Sequence, residues 1–259
     1  MPKYVKGTAF HYFKRFYLNN SVMDYHPKEI LVTAVYLACK VEEFNVSMSQ
    51  FVANVLGDQE RATKIILNNE LLLMQELQFH LTIHNPFRAV EGLIIDIKTR
   101  YQPAGEDIED WRHHIDKFLD SVFLTNAIMI YSPSQLALAA IIHAASRHKS
   151  NVDNYVTSQL FGGQPQEAIG HIISCVRNIR LMVKNLPEGP EVSNIKSLCG
   201  RLEKCRNQDN NPDSAAYKRK IEASVDEEDM INADHIPVKQ ARLDTGDLVG
   251  VKALSPGGG

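Results

Sequence analysis

Tyr25-His26-Pro27-Lys28-Glu29-Ile30 leads into Ala34-Val35-Tyr36-Leu37-Ala38. One hundred and six positions later, Tyr131-Ser132-Pro133-Ser134-Gln135-Leu136 leads into Ala140-Ile141-Ile142-His143-Ala144. In ungapped register the tyrosine, the proline and both alanines coincide, and most positions between them match in class. X-Pro helix starts and A-x-x-x-A helix cores are each common. Their joint recurrence at one offset is better explained by an internal duplication. Ile30 to Cys39 is nearly unbroken apolar sequence, and a helix that is apolar on every side belongs at the centre of a bundle. Two tandem helical repeats, each built around an alanine-rich central helix, are therefore expected.

Outward from these centres the apolar period stays helical. Val5, Ala9, Phe13 and Phe16 form a stripe in a first helix that ends at Asn19-Asn20-Ser21. Ser47-Met48-Ser49-Gln50 has the form of a capping box and opens a short helix. A helix over about 60–78 carries Ile66, Leu67, Leu73, Met74 and Leu77, and 79–84 reads as a connector. Asn85-Pro86 starts a helix with Phe87, Val90, Ile94, Ile97 and Tyr101 in register. One helix is expected from about Asp107 to Ile130, and Ser132 and Pro133 start the next. Beyond Gly162-Gly163, the run from Ile169 to Leu186 is a long amphipathic helix. Val192, Ile195, Leu198 and Leu202 predict one more, lying against the body. No strand alternation appears, so the fold class is all-α. The divisions expected are 1–82 and 83–187 for the repeats, 188–206 for the last helix, and 207–259 for a disordered tail too polar to offset its ordering entropy.

No run approaches the ~18 apolar residues of a membrane span, and the first residues hold no signal-peptide core. Cys39, Cys175, Cys199 and Cys205 form no C-x-x-C pair, which suits a reducing compartment, cytosol or nucleus. From Arg206 onward there are 7 Lys and Arg against 10 Asp and Glu, leaving 21 of each sign in the body. A neutral body lowers the nucleic-acid reading. The cluster Lys218-Arg219-Lys220, with Lys239 and Arg242 beyond it, is a weak nuclear-import signal, and the acidic run Asp226 to Asp229 reads as a solvated segment.

Two charges stand where apolar residues belong. Glu70 has Ile66 and Leu67 one turn before it and Leu73 and Met74 one turn after, and Lys40 closes the most hydrophobic helix. Desolvating an unpaired ion costs several kcal/mol, so three arrangements are open: both snorkel to water, they pair, or together they serve a partner's backbone. In the second repeat Ser146 stands at the position of Lys40, so such a role would belong to the first repeat alone. His80 and His84 have i,i+4 spacing but straddle a connector without a third ligand, and the adjacent His113 and His114 point to different sides of a helix. No phosphate loop and no nucleophile constellation is present, and Trp111 reads as packing. No catalytic residue, metal or cofactor is expected.

The runs 12–20, Leu37 to Phe44 and Glu70 to His80 resemble the box of the cyclin family. The run Phe79 to Arg88, followed by Ile94 to Tyr101, resembles its H-type members in particular. The resemblance extends from Pro2 to about Cys205. It implies two repeats of five helices, the first here shortened to four because the chain begins after its first helix. That shortening is expected to expose part of the Val5–Phe16 stripe and of the central helix. It further implies a nuclear regulatory subunit, itself not an enzyme, that binds and activates a cyclin-dependent kinase of the activating-kinase type. An assembly-factor subunit and transcription factor IIH are the other implied partners. In the family the counterparts of Lys40 and Glu70 lie together on the kinase-facing surface and hold backbone groups of the kinase, so the interface arrangement is the one the resemblance implies for them. The rivals are another transcriptional cyclin, or a DNA-binding initiation factor of the IIB kind, which also has two such repeats.

Overall fold

The computed structural model describes residues 1–101, 107–211, 213–220 and 222–223. Its first repeat consists of α1 (Lys3–Asn19), α2 (Pro27–Val41), α3 (Met48–Val52) and α4 (Gln59–Glu76). The second consists of α5 (Phe87–Arg100), a 3-10 turn (Ile108–Trp111) running into α6 (Arg112–Leu124), α7 (Ala127–Ile130), α8 (Pro133–Arg147), a π turn (Tyr155–Leu160) and α9 (Gln166–Lys184). Helix α10 (Val192–Cys205) follows. Among the described residues there is no strand, and no helix is long and apolar enough to cross a membrane.

The duplication is a property of the backbone. Helices α2 and α8 have the same length at the 106-residue offset, each with proline at its first turn. Both end on a residue with a left-handed backbone, Glu43 (φ 55°) and Lys149 (φ 59°), again 106 apart. In each case the next amide bonds back into the last turn, Phe44 N to Cys39 O and Ser150 N to Ala145 O, both 2.9 Å. That is the αL helix stop usually given to glycine. The capping boxes Ser47–Gln50 and Ser132–Gln135 are both closed reciprocally.

Each central helix is the hub of its own core. Val5, Ala9, Tyr12 and Phe16 pack with Ile30, Ala34, Leu37, Ala38, Leu73 and Leu77 in the first repeat. Trp111, Ile115, Phe118 and Val122, the same four positions of the duplication, line the core around α8. The expected exposure of the α1 stripe does not occur: Val5, Tyr12 and Phe16 are fully buried, each burial contributing ~1.5–3 kcal/mol. Tyr12 takes the stripe position assigned to Phe13, which is only partly buried. The reason is that α1 is enclosed from several sides. It packs on α2. Phe10 stacks on Phe123 of the second repeat at 5.8 Å, while Tyr12 Oη donates to Leu81 O and Arg15 donates to the carbonyls of Leu77 and His80. Gly7 is where α1 comes closest to the linker: an added Cβ would lie 2.2 Å from Asn85 Oδ1 and 3.0 Å from Phe123.

Three further expectations need correction. The single helix expected over 107–130 is broken after Leu124, where Thr125 Oγ1 accepts from Ala127 N and donates to Val122 O, a local cap that restarts the helix. In α4 the buried stripe is Ala62, Ile66, Leu73 and Leu77, and Leu67 is exposed. Helix α10 does not bury its apolar face: none of its residues is buried, and Val192 and Leu198 are more than half exposed. It is held by its end instead. Arg206, almost fully buried, makes a two-pronged bond to Glu29 at 2.9 and 3.0 Å. Glu203 lies 3.3 Å from His26 Nε2, and Asn207 N donates to Met23 O. The start of the segment expected to be disordered is thus bound to the α1–α2 turn, and Arg61 reaches Asp213. Lys218–Lys220 lie in a helical stretch; the expectations for 224–259, including the acidic run, Lys239 and Arg242, lie outside the described residues.

Candidate functional site

Lys40 and Glu70 are brought together. Helix α4 packs along α2, and Glu70 falls between Ile66 and Leu73 on the buried stripe of α4, which aims its carboxylate at the last turn of α2. Lys40 is favoured there because its charge opposes the helix dipole. Its Nζ lies 2.7 Å from Glu70 Oε1 and 2.9 Å from Oε2. It also sits 4.9 Å above the ring of Tyr36, close enough for a cation–π contact. Only the Oε2 contact has hydrogen-bond geometry. Oε1 is buried, and the Lys40 ammonium is its one partner among the described residues.

The environments of the two ions differ. The lysine side chain is 49% exposed and the glutamate side chain 16%. An ion pair with one end in solvent stabilises a fold by ~0–1 kcal/mol. Fold stability therefore gives little reason for a glutamate at this place on the stripe. Beside it on α4, Leu67 and Leu71 are 60% and 55% exposed. Sequence reading missed this part of the site. Tyr36 is core, as its sequence reads, and in addition carries the lysine over its ring; Leu67 read as stripe and is exposed, with Leu71 one turn beyond it on the outer face.

The other candidates are dispersed. His80 lies exposed in the connector, where its carbonyl is used by Arg15, and His84 is exposed four residues on. Among the described residues no group of three His, Cys, Asp or Glu could hold a metal ion. The rings of His113 and His114 are 5.6 Å apart, and His114 meets His148 edge-on at 5.1 Å. Trp111 is fully buried in the second core. Burial and the nearby Arg15 and Lys14 lower the pKa of His11 to about 4, so it packs against Phe123 as a neutral ring at neutral pH. Cys39 and Cys175 are buried free thiols, and burial raises that of Cys39.

Comparison with known proteins gives a consistent set of relatives. Residues 3–82 match the family described as "Cyclin, N-terminal domain", and residues 85–184 match "Cyclin C-terminal domain". The chain is 49% identical over 210 residues to "Cyclin-H" of Xenopus laevis, covering 79% of this chain and 64% of that protein. It is 32% identical to "Cyclin-H1-1" of Arabidopsis thaliana, covering 79% of this chain and 60% of that one. The chain thus spans less than two thirds of the length of these relatives. A chain of the CAK complex of Chaetomium thermophilum bound to ATP-gamma-S superposes with a TM-score of 0.70 at 25% identity, over 96% of this chain and 76% of that one. A chain of the yeast TFIIK complex (Kin28/Ccl1/Tfb3) superposes with a TM-score of 0.60 at 25% identity, over 71% and 77%.

Proposed function

The chain belongs to the cyclin family, and from that premise we propose that it is a non-catalytic regulatory subunit that binds and activates a cyclin-dependent kinase of the activating-kinase type. The observation that carries the reading is the Lys40–Glu70 pair: a half-exposed ammonium on a mostly buried carboxylate, beside the exposed Leu67 and Leu71. Such a surface presents a donor and an acceptor to a partner's backbone, with apolar area beside them to exclude water. Likeness to cyclin H and to chains of CAK and TFIIK complexes supports the choice of kinase class. The same likeness supports an assembly-factor subunit and transcription factor IIH as further partners, and the nucleus as the place of action.

The mechanism is differential binding. A cyclin that contacts the active arrangement of the kinase better than the inactive one shifts the kinase toward it by the difference in affinity. ATP, magnesium and the residues of phosphate transfer belong to the kinase. The test is co-purification of this chain with an activating-type cyclin-dependent kinase, followed by phosphate transfer to a kinase T-loop peptide. Stimulated transfer supports the proposal. A folded chain that neither binds nor stimulates the kinase refutes it.

A further inference from the structure

The duplication gives the Lys40–Glu70 face a counterpart in the second repeat. Tyr36, Lys40, Leu67 and Glu70 correspond to Ile142, Ser146, Ile173 and Val176. Where the first repeat carries an ion pair, the second carries an open groove of about 980 Å³ between α8, α9 and the π turn. Phe118, Ile142, Ile172 and Val176 form its floor. Ile173 and Leu181, two turns apart on α9, are 40% and 51% exposed at its edge.

The rim is cationic. Arg177, Arg180 and Lys184 line the groove from α9 at helical spacing, on the side of Ile173 and Leu181. Among the described residues none of the three has a carboxylate within ion-pair distance. Asp153 is the one carboxylate in the lining. The field reaches the groove wall: His143 is held below the ordinary histidine range by burial, and next by Arg180 and Arg147. The first repeat has Leu71, Met74 and Gln78 at the positions of the three cations, so this charge belongs to the second repeat alone.

We propose that the α8–α9 groove is a second docking site, distinct from the Lys40–Glu70 face, for an amphipathic helix of a partner protein whose apolar stripe is flanked by carboxylates. The apolar floor accepts side chains at i, i+3, i+4 and i+7, and the three cations select acidic flanks. The site is independent of the kinase reading, because it shares no residue with it.

The test uses the full chain and two labelled synthetic helical peptides, identical in their leucine stripe and flanked by glutamates or by lysines. In fluorescence anisotropy the glutamate peptide should bind at least ~10-fold tighter than the lysine peptide and weaken as salt rises. The triple reversal Arg177→Glu, Arg180→Glu and Lys184→Glu should invert that preference, and Arg177→Glu alone should narrow it. Lys40→Ala with Glu70→Ala should leave it unchanged. Equal binding of the two peptides, binding of neither, or a preference that survives the reversal overturns the proposal. So does loss in the Lys40/Glu70 variant, which would move the peptide to the other face, or displacement by duplex DNA more readily than by unlabelled glutamate peptide.

Discussion

The two central helices share a length, a proline start and a left-handed stop, yet they are covered differently. Along α8, against which α5 packs, Ala137, Leu138, Ile141 and Ala145 are all buried. The matching positions of α2 are Leu31, Val32, Val35 and Cys39. Among them only Cys39 is buried, Leu31 is 48% exposed, and all four line an open groove of about 800 Å³. Among the described residues no helix stands on this face of α2 as α5 stands on α8. The two central helices thus share a backbone design and differ in their cover. Polar pairs show the same difference: Thr8 bonds Glu42 in the first repeat, and His114 meets His148 at the matching positions of the second.

Substitution at matched positions would sharpen this comparison. Ile141→Ala, in the covered face, should cost ~2–5 kcal/mol, whereas Val35→Ala, at the open groove, should cost less than ~1.5 kcal/mol. Urea unfolding of both variants measures the difference, and equal losses would mean that the α2 face is covered in solution. Acid offers the next largest contrast. His11 is half-buried at the junction, while its counterpart Lys117 is exposed. With its folded pKa lowered to about 4, His11 stabilises the fold while neutral. That contribution is present above the ordinary value near 6.5 and is lost as pH falls toward 4. The loss is on the order of 2 kcal/mol, and His11→Asn should make the acid limb of the stability curve shallower. His26, His114 and His143, also lowered chiefly by burial, keep it from becoming flat. An unchanged limb in thermal melts from pH 7 to 4 would remove His11 from the account. The smallest effect tests what is equal in the two repeats. Glu43→Gly and Lys149→Gly relieve the same left-handed strain, and each should raise stability by ~0.5–1 kcal/mol. Opposite signs would break the backbone equivalence.

Much of this organisation is written locally and could be read without coordinates. The Pro27 and Pro133 starts, both capping boxes and the 106-residue offset depend on neighbours in sequence, as does the position of Glu70 on its stripe. What escaped depends on contacts between elements. The α1 stripe is covered partly by the 77–83 connector, and the neighbouring Phe10 by Phe123, which no helical period reveals. Helix α10 has a strong apolar pattern but is anchored through Arg206 and Glu29, 177 residues apart in sequence. The break at Thr125 rests on one hydroxyl, too small a signal against an otherwise continuous apolar run. At the site, the meeting of Lys40 and Glu70 was one of three arrangements left open by the residues alone. The roles of Tyr36, Leu67 and Leu71 follow from side-chain direction rather than composition.

The central claim is that the first repeat, through Lys40 and Glu70, holds the kinase, and that the equivalent face of the second repeat does not. Calorimetric titration of an activating-type cyclin-dependent kinase with four variants of the full chain tests it: Lys40→Ala, Glu70→Ala, Ser146→Ala and Val176→Ala. The first two should lose ~30-fold or more in affinity, equivalent to ~2–5 kcal/mol for a desolvated charge contact, and the last two should stay within about twofold of wild type. Wild-type affinity for the Lys40 and Glu70 variants, or equal losses from both faces, would contradict it.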